Sequence, residues 1–213
     1  MAKFSILALI LGILLIAGEV NMSAQTKKGA LPDAEALNRM AARFAPTDLK
    51  VDLSGLSKGD RAALAKLVVA GRIVDRIFLE QFWSGNASLH KKLLEDKTPL
   101  GRARTNYFWI NKSPWSTLDG FEAFLPDVPD RKLEGSNFYP ENMTKTEFES
   151  WAASLPAKEQ EEAKGFFTVI RRTDGDKLKS VRYSDEYKEN LQRAAQLLHA
   201  ASFPCIRRYI EPT

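Results

Sequence analysis

The side chains that most often carry enzyme chemistry are scarce in this sequence. Its 213 residues include two histidines, His90 and His199, and a single cysteine, Cys205. A catalytic zinc site usually needs three protein ligands, which two distant histidines and one thiol do not provide. The zinc-protease, nucleophile-elbow and phosphate-loop motifs are missing as well. We therefore expect neither a metal site nor a cofactor site in this chain.

Two local combinations could still supply a nucleophile. Ser88 and Lys91 have the Ser-x-x-Lys spacing of penicillin-binding enzymes, but the companion motifs of those enzymes are missing. Cys205 could act as a thiol nucleophile with His199 as its base, although a lone cysteine beside a proline is more often incidental. We interpret the first pair as the start of a helix with solvated charges. A serine or cysteine hydrolase is kept as a third alternative.

The most unusual stretch is residues 106–143, which we call the aromatic segment. It holds eight aromatic residues and four prolines, so it is too rich in proline for a regular helix and too aromatic for disorder. We predict a long ordered loop, a kind of element that often carries function. Four of its aromatic side chains either pack in the core or line a ligand cleft: Trp109, Trp115, Phe121 and Phe124. Its polar side chains that could orient a ligand are Asn106, Asn111 and Asn137.

Around this segment, the spacing of apolar residues predicts helices over residues 34–44, 60–83, 87–94, 144–155, 158–164 and 184–203. The strongest covers residues 60–83, and its predicted buried stripe consists of Leu64, Leu67, Val68, Gly71, Val74, Phe78 and Phe82. Asp174-Gly175 predicts a turn between strands at 166–171 and 178–183. The expected fold is mainly α (α+β), a helical lobe with a long aromatic, proline-rich ordered loop and one small β-hairpin.

Four sequence signals predict where helices begin or end. Ser57 is expected to cap the helix over residues 60–83, and Ser184 is expected to cap the last helix. Thr144 and Glu147 have the spacing of a capping box, in which each side chain accepts a bond from the other's backbone N–H. Pro204 is expected to end the last helix because a proline cannot donate the helical hydrogen bond.

Residues 1–25 differ from the rest of the chain. Lys3 precedes an uncharged and mostly apolar run, residues 4–17, which is short for a membrane span and typical of a signal peptide. We expect a signal peptide or an uncleaved N-terminal anchor here, followed by a linker at 26–33. The protein is then exported, to the periplasm or the cell exterior, and associates stably with the membrane only if the anchor is retained. A single cysteine allows no internal disulfide, and the interspersed charges with a net of +4 do not favour nucleic acid as a partner.

Four stretches in a fixed order carry a family resemblance. They are YFWINKSPWSTLDGFEAFLP, SNFYPENMTKTEFESW, FFTVIRR and YSDEYKENLQRAAQLL, at residues 107–126, 136–151, 166–172 and 183–198. Their most specific pieces are Pro114-Trp115 with Leu118-Asp119, and residues 138–140 with 143–145. Over residues 31–200 the chain resembles the N-terminal part of bacterial members of the dipeptidyl peptidase III family.

This resemblance implies a function that the residues alone do not. Members of the family are zinc exopeptidases that remove dipeptides from unblocked peptide N-termini, in a cleft between two lobes. Their zinc motif, His-Glu-x-x-Gly-His, and a further Glu ligand lie C-terminal to the part that this chain resembles. The resemblance therefore implies that residues 34–201 form an N-terminal lobe, that zinc belongs to the intact parent, and that this chain alone is inactive. It also suggests Asn111, Trp115 and Tyr139 as residues that contact the peptide substrate.

The chain also departs from the family pattern. Ser113 stands where the family loop has glycine, and Ser116-Thr117 stand where it has Asp-Arg. Residues 202–213 do not continue the helical pattern, so we regard them as an aberrant tail and hypothesise a frameshift or premature stop near Ala201. The fragment would then lack the C-terminal lobe that should pack against it, and would expose an apolar face. The alternative is a free-standing exported helical module that binds peptides or another protein and has no such face.

Overall fold

The computed structural model describes residues 30–210, with side chains described up to residue 202, so the expected signal or anchor segment lies outside the described residues. The helices are α1 (Ala34–Ala41), α2 (Lys58–Phe82), α3 (Asn86–Glu95), α4 (Pro99–Asn111), α5 (Lys145–Ser154), α6 (Ala157–Ala163), α7 (Tyr183–Glu186) and α8 (Lys188–Ile210). The strands are β1 (Trp115–Ser116), β2 (Glu122–Ala123), β3 (Thr168–Arg172) and β4 (Leu178–Arg182), and they form two antiparallel pairs. The mainly helical fold with a small hairpin is confirmed. Within the described residues, no helix is both long and apolar enough to span a bilayer.

Helix α2 begins at the residue that the sequence indicates. The hydroxyl of Ser57 accepts a hydrogen bond from the backbone N–H of Asp60 at 3.2 Å, and the carboxylate of Asp60 accepts one from the backbone N–H of Ser57 at 3.3 Å. This reciprocal pair satisfies two of the donors that a helix start leaves unpaired. The helix then packs along α8, the second long helix of the fold.

The face of α2 that is buried is not the predicted one. Its buried side chains are Ala63, Ala70, Ile73, Ile77 and Leu79. The predicted stripe is largely exposed, with 46% of Leu67, 56% of Val74 and 43% of Phe78 accessible. The part of the chain that the structure describes covers these larger side chains only partly. The prediction of this stripe as core was therefore wrong.

Two prolines lie within helices. Pro99 opens α4, a helix that the sequence pattern did not predict; its missing N–H is not needed there, and Thr98 caps the helix by accepting from Gly101 N at 3.0 Å. Pro204 was expected to end the last helix, but α8 continues to Ile210. A proline cannot bond the carbonyl four residues before it, here that of Ala200. The ammonium of Lys66 on α2 donates to that carbonyl at 2.9 Å instead.

The predicted hairpin is confirmed, with Val169 opposite Val181. Its turn places Gly175 at φ +78°, a conformation that glycine adopts without a steric penalty. Val169 packs with Ile77 and Tyr187, so this hairpin forms a second small core with α2.

The caps of the later helices correct two details. Thr144 does cap α5, accepting from the N–H of Glu147 at 3.1 Å, but the carboxylate of Glu147 pairs with Arg172 of the hairpin at 2.8 Å. Only half of the predicted capping box therefore forms. Ser184 does not cap the last helix, since it lies inside the short helix α7.

Candidate functional site

The aromatic segment starts as helix and continues as an ordered loop. Its first six residues belong to α4, and the loop that follows contains the paired strands β1 and β2. Trp115 is completely buried, and its indole N–H donates to the carbonyl of Pro129 at 2.7 Å. Its ring packs against Phe82 and Trp83 at the end of α2, at centroid distances of 6.4 and 5.3 Å. Trp115 therefore anchors the loop to the helical core.

Asn111 fixes the turn between α4 and β1. It is 4% exposed, and its amide nitrogen donates to the carbonyl of Tyr107 at 2.9 Å. Its amide oxygen accepts from both the backbone N–H and the hydroxyl of Thr117, each at 2.9 Å. The side chain that was expected to orient a ligand therefore makes its hydrogen bonds within the protein, to Tyr107 and Thr117.

A charged network joins the loop to the first helix. Arg43, just after α1, donates to the carboxylate of Asp119 at 2.8 Å, and Ser116 donates to the same carboxylate. The hydroxyls of Ser116 and Tyr107 bond each other at 2.6 Å. The hydrogen bond from Arg43, followed by that from Ser116, lowers the pKa of Asp119 to about 2.

Sequence reasoning missed the Arg43 contact. Leu118-Asp119 belongs to one of the family stretches, but 76 residues separate Arg43 from Asp119. No local pattern reports a pairing over such a distance. The contact depends on α1 packing against α4.

Two residues that depart from the family pattern, Ser113 and Ser116, make hydrogen bonds within this loop. Ser113 and Ser116 are both buried. The hydroxyl of Ser113 accepts from the N–H of Trp115 at 3.3 Å and donates to its carbonyl at 3.2 Å. Together with the contacts of Ser116, these bonds stabilise the turn that carries Trp115 into the core.

The four aromatic side chains divide evenly between core and surface. Trp115 and Phe124 are buried in the core, whereas Trp109 and Phe121 are 44% and 37% exposed. The ammonium of Lys112 lies 3.3 Å from the centroid of the Trp109 ring, a cation–π contact. The same ammonium pairs with Asp75 at 3.1 Å. Trp109 and Phe121 are thus the accessible aromatic side chains of this set, and we call them the exposed half of the aromatic segment.

Of the three predicted substrate residues, Tyr139 has the accessible side chain. Its ring is partly exposed and meets Phe148 of α5 edge-on at 5.3 Å. Asn111, at the end of α4, and Trp115, in β1, are buried. The substrate-binding role of all three stays a prediction.

Of the candidate nucleophiles and bases, the structure describes the side chains of Ser88, Lys91, His90 and His199. The hydroxyl of Ser88 donates to the carbonyl of Gly85 at 3.0 Å, at the start of α3, as expected for a helix start. The ring of His90 stacks between Phe108 and Trp109, and burial, followed by the charge of Lys112, lowers its pKa. His199 is exposed on α8, and the side chain of Cys205 lies outside the described residues.

A zinc ion does not fit the described residues. Among them, no three His, Cys, Asp or Glu side chains lie close enough together to hold a metal ion. The two histidines lie on different helices, and His90 is packed between aromatic rings.

Comparisons with known proteins point to one family. The structure is similar to that of dipeptidyl-peptidase III from Corallococcus sp. strain EGB, with 50% identity and a TM-score of 0.75 over 80% of this chain and 32% of that one. It is also similar to DPP III from Caldithrix abyssi, with 40% identity and a TM-score of 0.72 over 78% of this chain and 31% of that one. The chain thus spans about a third of the length of these structures.

A plant protein with a different name also matches. Nudix hydrolase 3 of Arabidopsis thaliana is 32% identical over 78% of this chain, which corresponds to 28% of that protein. Because the match leaves most of that protein uncovered, its name assigns no activity to this chain. No family model matches the sequence.

Proposed function

As the chain belongs to the dipeptidyl peptidase III family, we propose that it supplies one lobe of an exported zinc-dependent dipeptidyl peptidase. In this role the exposed half of the aromatic segment forms part of the cleft wall that holds an extended peptide. Tyr139 and Trp109 offer ring surface there, and the buried Asn111 and Trp115 keep the loop in place. The zinc ligands come from the remaining part of such an enzyme, so this chain alone removes no dipeptides.

The observation that carries the proposal is the apolar stripe on α2. Leu67, Val74 and Phe78 follow one another at helical spacing, and each is more than 40% exposed. Exposed apolar patches of this kind mark surfaces that another part of a protein covers. Because the chain matches about a third of its solved relatives, the remaining two thirds of a family member are the occupant we propose.

The stripe also argues against the alternative function. A free-standing binding module has no need for a row of exposed aliphatic and aromatic side chains outside its ligand surface. Leu191 and Leu198 on α8 are likewise 39% and 51% exposed. Both long helices therefore present apolar side chains, as expected of a lobe that packs against another.

The activity part of the proposal is tested with the purified 213-residue chain. We expect no cleavage of a dipeptidyl-arylamide and no stoichiometric zinc by elemental analysis, because the described histidines and carboxylates form no ligand set. Turnover that a chelator abolishes would refute the proposal that this chain is inactive alone.

The partner is tested by co-expressing the chain with the part of the Corallococcus protein that the match does not cover. We expect the two to co-purify and Phe78→Ser to weaken their association, because buried aromatic side chains dominate interface energies. Phe166→Ser is the matched control, since Phe166 is 92% exposed just before the hairpin and does not belong to the stripe. Equal retention of the two variants would exclude the α2 stripe as the contact surface.

Export is tested on the native gene product. We expect residues 1–25 to be missing from protein recovered outside the cytoplasm, because their charge and apolar pattern are typical of a signal peptide. N-terminal sequencing of that protein distinguishes a cleaved signal from a retained anchor. Recovery of the intact chain in the cytoplasmic fraction alone would contradict export.

A further inference from the structure

A cavity of about 290 Å³ lies between the end of α2, helices α3 and α4, and residues 125–128. Its apolar walls include Leu89, Leu93, Leu125 and Val128. Its polar and charged lining includes Trp83, Ser88, Lys92, Asp96, Arg104 and Asp127. The volume is at the lower end of the range for small-molecule sites, about 300–1,000 Å³.

Two side chains that line this cavity have donors without an acceptor. The indole N–H of Trp83 and the Nε–H of Arg104 are both buried, and neither makes a hydrogen bond within the described part of the chain. Most buried polar groups of native proteins are paired, so two unpaired donors beside one cavity require an explanation. A ligand that enters this cavity from solvent and accepts hydrogen bonds from both donors is such an explanation.

The lining carries two cations and two carboxylates, and Asp96 interacts electrostatically with Arg104, so the unpaired donors rather than a net charge favour an acceptor. Arg104 and Lys92 are both cations, and a guanidinium matches the geometry of a carboxylate. Of the two carboxylates in the lining, Asp96 already accepts from the backbone N–H and the hydroxyl of Thr98, at 3.0 and 2.7 Å. The other carboxylate, Asp127, is exposed to solvent.

The donor of Trp83 is held in place before any ligand arrives. A Cβ at Gly85 would lie 2.3–2.6 Å from three carbons of the Trp83 ring, so only glycine allows this close approach. The ring also meets Trp115 edge-on, at a centroid distance of 5.3 Å. Little conformational freedom is therefore left to lose on binding, which favours affinity.

We propose that this cavity binds a small carboxylate with an apolar body. The carboxylate accepts from Arg104 and Trp83, and the apolar body packs against the leucines of α3 and the loop. Two sources share this chemistry, a free small organic acid and the C-terminal residue of a peptide. The cavity is lined by residues 125–128 of the aromatic segment but by neither Trp109 nor Phe121. The proposal does not depend on the proposed peptidase role.

The test is a titration of the full chain, observed by ¹H–¹⁵N spectra of its indole groups. We expect N-acetyl-leucine to shift the Trp83 signal, assigned with Trp83→Phe, and leucinamide to leave it unchanged. The indole of Trp115 is an internal control because it already donates to Pro129. Ala-Ala-Leu and its C-terminal amide then distinguish the two sources, since a peptide site accepts the acid and rejects the amide.

Arg104→Gln should weaken N-acetyl-leucine binding at least ten-fold. Arg102→Gln is the matched control, because Arg102 is exposed two positions earlier in the same helix. If Arg104→Gln fails to fold, Arg104→Lys tests the same contact, since it keeps the charge and loses Nε–H. Equal shifts with the acid and the amide, or unchanged affinity in a folded Arg104 variant, would overturn the proposal. So would a Trp83 signal that does not respond to millimolar acid in a natively folded sample.

Discussion

The aromatic segment and helix α2 differ in how the protein covers their large side chains. In the segment, Trp115 and Asn111, whose types suggest ligand contact, are buried and fully engaged by the protein itself. In α2, Val74 and Phe78, whose spacing suggests core, are exposed. Residue type and spacing predicted the local structure of both regions better than they predicted which side faces solvent.

This contrast shows that burial depends on a partner as well as on a pattern. The segment carries its own partners, because Ser113, Ser116 and Asn111 satisfy its backbone while Phe82 and Trp83 cover its tryptophan. The outer side of α2 has no comparable cover within residues 30–202. The same apolar area therefore stabilises the fold in one region and remains available for assembly in the other.

The largest expected effect comes from removing the anchor of the aromatic segment. Trp115→Ala should destabilise the protein by about 3–5 kcal/mol, because it leaves a cavity in a tightly packed core. Phe78→Ala should cost less than about 1 kcal/mol, since its ring is already 43% exposed. Urea unfolding of both variants checks the comparison, and equal losses of stability would contradict it.

The next effect concerns the buried amide. Asn111→Ala should destabilise by about 2–3 kcal/mol, because it leaves the N–H of Thr117 and the carbonyl of Tyr107 without their partner. Asn106→Ala is the matched control on the same helix, and it should change stability by less than about 0.5 kcal/mol because Asn106 is exposed. Urea unfolding measures both variants. A small loss for Asn111→Ala would contradict a structural role for this amide and would favour the ligand role that the sequence suggests.

A smaller effect should appear at acid pH. The folded-state pKa of Asp119 is lowered from 3.8 to about 2, so its contribution is present above pH 4 and is lost as the pH falls through 2. The side chain is 35% exposed, so solvent screening limits this contribution to about 1 kcal/mol or less.

Asp119→Asn isolates that contribution. The stability difference between the wild type and this variant should shrink between pH 4 and pH 2, measured by urea unfolding at each pH. Asp48→Asn serves as the control, because Asp48 pairs with Lys50 on the exposed surface. A difference that stays constant over this range would mean that the Arg43 contact does not stabilise the fold.

The smallest effect on stability is expected on the stripe itself. Val74→Ser with Phe78→Ser should change the free energy of unfolding by less than about 1 kcal/mol, because both side chains are about half exposed. The same pair should lower the fluorescence of a dye that binds exposed apolar surface, whereas Phe166→Ser should lower it less. Unchanged dye fluorescence in the double variant would show that the stripe is not an accessible apolar surface.

Local signals in the sequence were sufficient for several elements. Ser57 with Asp60 identified the start of α2, Thr144 identified the start of α5, and Asp174-Gly175 identified the hairpin turn. Each of these depends mainly on residues a few positions apart, although the Glu147 half of the second signal was lost to a contact with Arg172. The family resemblance depends on the order of four stretches along the chain, so it too could be identified from the sequence alone.

The tertiary structure decided the features that depend on distant residues. Pro204 remains inside α8 because Lys66, on another helix, donates to the carbonyl that the proline leaves unpaired. Asp119 is held by Arg43, which lies 76 positions earlier in the chain. The sequence determined the starts of α2 and α5 and the hairpin turn, since those choices are made within a few residues. Which face is buried and which polar group is paired depend on contacts between elements, which form only when the whole chain packs.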